Sequence, residues 1–194
     1  FQKASLLPKM TLGIAQIDSS LDSLGMHDKL CISGIQTQSL VERICVRAQL
    51  PSKYGGFQSR VLLIDGANTS DLYLGVEFAQ QYGLDVKKTL EGIISSRTFT
   101  VYQIANLIIY ELQNAIRHYE VKTLVISNLL YFFTNDEFLS SKEMRYILKR
   151  VIKSLEKITD CLLVITTSYP TQYDQMLYEI CTKTIKIEIG RAHV

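Results

Sequence analysis

The chain has 194 residues, 47% of them hydrophobic and 21% charged, with a formal net charge of +2. That is enough apolar material for one well-buried core and too much for a disordered segment. Near-balanced charge imposes no strong phosphate-binding surface, and the longest apolar runs, at 61–64, 124–126 and 162–165, are strand-length, far short of a membrane span.

In chain order, the run Lys29 to Ser33 enters Gly34, and Leu40, Val41, Ile44, Cys45 and Ala48 then recur at helical spacing, predicting strand, turn and a helix over 38–49. This is the local frame of a phosphate-binding loop. A working loop reads G-x-x-x-x-G-K-[ST]: backbone N–H groups cradle the phosphates, the Lys reaches them, and the hydroxyl holds Mg²⁺. In that register the first Gly is Cys31, the second Gln36, the Lys Thr37 and the hydroxyl residue Gln38, so only Gly34, at a permissive position, survives. Alone, the segment reads as an ordinary strand–turn–helix that never bound phosphate.

Apolar strands and amphipathic helices then alternate, with helices predicted over 72–82, 101–119 and 141–158. The alternation predicts βαβ units and a largely parallel sheet covered on both faces. In the last helix Ser140 and Glu143 form a capping box, and Met144, Ile147, Leu148, Val151, Ile152, Leu155 and Ile158 form the apolar stripe. Its outer face carries Lys142, Arg145, Lys149, Arg150, Lys153 and Lys157, which is either a solvated helix face or a surface for DNA or an acidic partner. Tyr131, Phe132 and Phe133 suit a core position beside a strand or stacking on bases. Cys31, Cys45, Cys161 and Cys181 stand singly in apolar stretches without C-x-x-C spacing, which predicts core thiols in a reducing compartment and no metal site. His27, His118 and His193 make no ligand or triad pattern.

RAQLPSKYGG, VLLIDGANTS, FAQQYGLD, IISSRTFTVYQ, LVISNLLYFF and CLLVITTS follow one another in the order and spacing of six elements of the RecA/RadA recombinases. The chain resembles that family, its archaeal RadA branch and the eukaryotic paralogues, over nearly its whole length. The resemblance implies a RecA-like P-loop NTPase core, which here would be C-terminally truncated. It also implies how far the catalytic set has decayed. The family's water-orienting Glu falls on Ala67, its Walker B Asp on Ser127, and its Gln after the later strand on Ser168. Phosphoryl transfer depends on positioning and charge stabilisation, so neither ATPase activity nor bound ATP or Mg²⁺ is expected. Asp65 survives beside the site, where capping the turn after a buried strand is its simplest role.

The resemblance extends to the ends. The chain opens FQKA, similar to the family's F-x-x-A linker motif, which implies that Phe1 and Ala4 dock on a neighbouring recombinase protomer, and IAQI with SSLDSL follows in nearly the family's register. Residues 1–13 are thus expected to be a linker and 14–187 an incomplete core. EIGRAHV, residues 188–194, translates a common sequencing adapter, so this tail is expected to lie outside the fold, and the chain to be a fragment of a gene from an archaeal metagenome. The resulting expectation is a non-catalytic paralogue that assists homologous recombination and DNA repair, with a RadA-type recombinase as partner, DNA as a second partner, and no membrane. A cytoplasmic, nucleoid-associated location follows from it. A divergent DNA-dependent ATPase and a KaiC-like signalling scaffold without DNA contact are the alternatives. The short TSYPTQYDQ, where recombinases carry a longer DNA-binding loop, argues against strand exchange.

Overall fold

The computed structural model describes residues 8–168, 170–188 and 191–193. The buried runs form a single sheet: β1 (Lys29–Gly34), β2 (Val61–Asp65), β3 (Ile93–Arg97), β4 (Thr123–Ser127), β5 (Leu162–Thr167), β6 (Lys183–Glu188) and β7 (Arg191–His193), in the order β3-β2-β4-β5-β1-β6-β7. The first six are parallel, and β7 is antiparallel to β6. β2, β4 and β5 are buried at every position, as continuous apolar runs require when helices cover both faces.

One face is covered by α1 (Ala15–Leu21) and α2 (Gln38–Arg47), whose Ile17, Leu21, Val41 and Ile44 pack on Leu30, Ile32, Leu63 and Val164. α3 (Leu72–Gln81) packs beside α2, and α4 (Val86–Glu91) leads into β3. The other face holds α5 (Val101–Asn106), which runs through a π-helical turn at Leu107–Glu111 into α6 (Leu112–Tyr119), then α7 (Tyr131–Asn135), α8 (Ser141–Glu156) and α9 (Asp174–Tyr178). Their apolar sides meet Leu62, Ile64, Leu124, Ile126, Leu163 and Ile165. α8 matches its sequence pattern: Ser140 Oγ accepts the Glu143 N–H at 3.3 Å, and the predicted stripe is buried apart from half-buried Ile147.

Two expected boundaries differ. Met10 and Leu12 are fully buried and Met10 bridges to Leu24, so the packed core begins before position 14. At the other end, residues 191–193 pair with β6 through Glu188↔Arg191, Ile187↔Ala192 and Lys186↔His193, so this part of the 188–194 tail joins the sheet rather than standing apart. The pairing uses backbone groups, which an exposed sheet edge offers to a chain of any sequence. Phe1 and Ala4 lie outside the described residues. No described helix is long and apolar enough to cross a membrane.

Candidate functional site

The residues in register with the nucleotide site, Gly34, Gln36, Thr37, Gln38, Asp65, Ala67, Ser127 and Ser168, lie at the carboxyl ends of β1, β2, β4 and β5, the edge where open α/β sheets take their ligands. Gly34 closes β1 with φ +131°, and Gln36 in the following turn has φ +57°. Thr37 is buried and N-caps α2 without a side-chain bond, and Gln38 is the first helical residue. The glycine has a packing cause. A Cβ at Gly34 would overlap the carbonyl oxygen of Ile187 and lie 2.9 Å from its carbon, because β6 runs directly alongside.

Side-chain hydrogen bonds join the remaining positions. Gln38 Oε1 accepts from Thr69 Oγ1 at 2.9 Å and from Ser127 Oγ at 3.5 Å, while its Nε2 donates to Glu42 at 2.8 Å. Asn128 donates through Nδ2 to Thr69 and Ser127 and accepts from Ser168 Oγ. Its own N–H reaches Thr166 Oγ1 at 2.9 Å, and its φ is +51°, a left-handed value that Asn tolerates better than most residues. Asp65, fully buried, receives the backbone N–H groups of Ala67, Thr69 and Ser70 at 3.4, 3.1 and 2.8 Å, the turn-capping role read from its position.

Sequence reasoning missed Glu42, Thr69, Asn128 and Thr166. Glu42 stands four residues after Gln38 on one helix face, a spacing that makes the pair meet, and Asn128 directly follows a strand where a left-handed residue turns the chain. Glu42 is 3% exposed, and burial raises the pKa of its carboxyl, opposed by hydrogen bonds from Asp71 N–H and Gln38 and aided by the charges of Asp71 and Asp65. The native state therefore holds this proton to higher pH than the unfolded chain does. Stability from Glu42 is present below its unfolded pKa and declines as pH rises towards the native one. Glu42→Gln keeps the acceptor oxygen without the buried charge, so urea titrations from pH 4 to 8 should show a shallower loss of stability in the variant. A parallel pH profile in both proteins would rule this out.

The cations of α8 lie on the opposite face of the sheet from α2 and do not enter this network. Lys142, Arg145, Lys149, Arg150 and Lys153 are exposed and form no ion pair among the described residues. Arg150 donates to Tyr110 Oη at 2.7 Å, with its guanidinium 6.0 Å from that ring. Of the aromatic trio, Phe133 is buried in the core while Tyr131 is 44% exposed.

This is an α/β nucleotide-type fold whose phosphate and metal positions carry neutral side chains. The Rad51 family model matches residues 9–184, and the chain belongs to that family. It is 26% identical over 195 residues to a DNA repair protein RAD51 homolog of Solanum lycopersicum, covering 90% of this chain and 55% of that protein. A DNA repair protein RAD51 homolog 1 of Arabidopsis thaliana is 25% identical with the same coverage, and the DNA repair and recombination protein RadA of Cenarchaeum symbiosum is 26% identical, over 90% of this chain and 48% of that one. The chain thus spans about half the length of the curated relatives it matches.

Mg-ATP does not fit the residues present. Gln36, Thr37, Gln38, Ala67, Ser127 and Ser168 carry no charge, and Gln38, Ser127 and Ser168 already spend hydrogen bonds on one another directly or through Asn128. Phosphate binding in such a loop needs a Lys and a hydroxyl for the metal, and neither stands in register here.

Proposed function

We propose that this chain is a non-catalytic member of the family, which assists homologous recombination and repair by binding a recombinase and DNA rather than by hydrolysing ATP. The observation that carries this reading is the neutral network from Ser168 through Asn128 and Thr69 to Gln38, standing where phosphate and metal would need charged partners. Its similarity to DNA repair proteins of plants and of an archaeon supports the setting. The exposed cations of α8, which form no ion pair among the described residues, supply a surface for the DNA contact, and Phe1 and Ala4 supply the recombinase contact.

Saturating Mg-ATP should leave the melting temperature unchanged, and no hydrolysis should appear with or without DNA. A ligand at 100 times its dissociation constant would add about 2.7 kcal/mol, a readily measured shift. Such a shift, abolished by substituting Gln36 or Thr37, would overturn the non-catalytic reading. The partner is tested by pull-down against the RadA-type recombinase of the same organism: Phe1→Ala and Ala4→Glu should each weaken capture about tenfold or more, because burying a Phe contributes roughly 1.5–3 kcal/mol. Gln2→Ala is the control, and equal capture by all four proteins would remove the docking motif from the proposal.

A further inference from the structure

Two of the four free thiols meet on the face of the sheet that carries α9, away from the network around Gln38. Leu30 and Ile32 of β1 pack into the cluster beneath α1 and α2, so alternation along the strand turns Cys31, between them, to the opposite face. There it feels the charge of Asp174, the first residue of α9. Cys181 follows the turn that leaves α9, with its N–H on the Tyr178 carbonyl at 3.2 Å, and the next residue, Thr182, donates its own N–H to the Lys29 carbonyl of β1 at 2.8 Å. Cys181 is thereby tied to both α9 and β1. Its sulfur interacts directly with the thiol of Cys31, which serves as hydrogen-bond donor to it.

The two sulfurs are not equivalent. Cys31 is 0% exposed, whereas Cys181 is only partly covered. The hydrogen bond from Cys31, opposed by burial and aided by the charge of Lys29, lowers the pKa of Cys181, while the same contact, burial and Asp174 raise that of Cys31. Thiolate character and access decide which thiol an oxidant meets first, and both favour Cys181. The other two thiols have neither property. Burial pushes Cys45 well above the ordinary thiol range and Cys161 up to about 12, and both are closed to solvent.

We infer that Cys181 and Cys31 are a peroxide-reactive pair, with Cys181 the attacking thiolate and Cys31 the thiol that resolves it into a reversible disulfide. The Cys181 thiolate attacks one oxygen of hydrogen peroxide, the O–O bond breaks, and the departing hydroxide takes a proton to become water, leaving Cys181 as a sulfenic acid. Loss of the thiolate also removes the contact that holds the Cys31 proton. The Cys31 sulfur then attacks the Cys181 sulfur, the S–O bond breaks as the S–S bond forms, and the Cys31 proton leaves with the hydroxyl as a second water. Two thiols are oxidised by two electrons and one peroxide is reduced to two waters. The link fastens β1, the strand that enters the Gln36 turn, to the chain between α9 and β6. A disulfide made and broken in this way suits a reducing compartment, where lasting bridges are rare.

The test treats the intact protein with hydrogen peroxide, blocks the remaining thiols with N-ethylmaleimide and maps the peptides by mass spectrometry. Two of four thiols should disappear, a peptide pair joined through Cys31 and Cys181 should account for them, and dithiothreitol should restore both. Without oxidant, iodoacetamide should modify Cys181 at least about tenfold faster than Cys45 or Cys161. Cys31→Ala should leave Cys181 trapped by dimedone as the sulfenic acid, and Cys181→Ser should leave Cys31 reduced. The mapping of the unaltered protein decides the matter even if a variant folds poorly. Peroxide treatment that yields no Cys31 to Cys181 link, or alkylation of Cys181 no faster than that of Cys45 and Cys161, overturns the inference.

Discussion

Gly34→Ala is expected to destabilise the domain by on the order of 3–5 kcal/mol, combining a disfavoured positive φ with a steric overlap that backbone must move to relieve. The overlap is with the Ile187 carbonyl of β6, not with any ligand. Urea unfolding with and without Mg-ATP measures it. If Gly34 were only the remnant of a phosphate loop, alanine would be tolerated, and a loss under about 1 kcal/mol would remove the packing explanation. The expected loss is a large part of the total stability of an ordinary domain, so the variant should be recovered folded only at low temperature, and Gly34→Ser should behave no better.

Asp65→Ala should cost about 2–4 kcal/mol, because three backbone N–H groups lose a charged acceptor in a fully buried setting. Asp65→Asn should lose less, since one oxygen remains to accept while the new NH₂ faces an N–H. The sign of the change is diagnostic. Residues kept for catalysis or metal binding often hold a fold back, and removing them stabilises it. A rise in stability on Asp65→Ala would therefore show a functional carboxylate, and a fall shows the clamp that fixes the turn carrying Thr69.

The parts of the fold that could be read from sequence are those with a long pattern. α8 carries a cap and a seven-residue apolar stripe, and β2, β4 and β5 are unbroken apolar runs, so each was legible over its own length. The short elements were not. α4 is capped by Asp85, whose carboxylate accepts the Lys88 N–H at 2.8 Å, yet six residues give less than two turns of periodicity, and G-L-D reads as the end of the preceding helix instead. α1 has no side-chain cap at Ile14, and its two buried residues, Ile17 and Leu21, form too narrow a stripe to stand out. At the site, Ala67, Ser127 and Ser168 were legible by register, since they fall at fixed distances from strands. What replaced them was not, because Gln38, Thr69 and Asn128 are ordinary polar residues until three strand ends bring them within hydrogen-bond reach.

The placement of β1 governs how the chain can assemble in time. It is the first of the described strands in chain order, yet its neighbours in the sheet are β5 and β6, and Lys29 meets Thr182 across 153 positions of sequence. Nearly the whole domain must leave the ribosome before β1 gains either flank, whereas β2, β3 and β4 can zip together earlier. Such long loop closures slow folding and leave an apolar strand uncovered meanwhile, so refolding should be slow and sensitive to protein concentration.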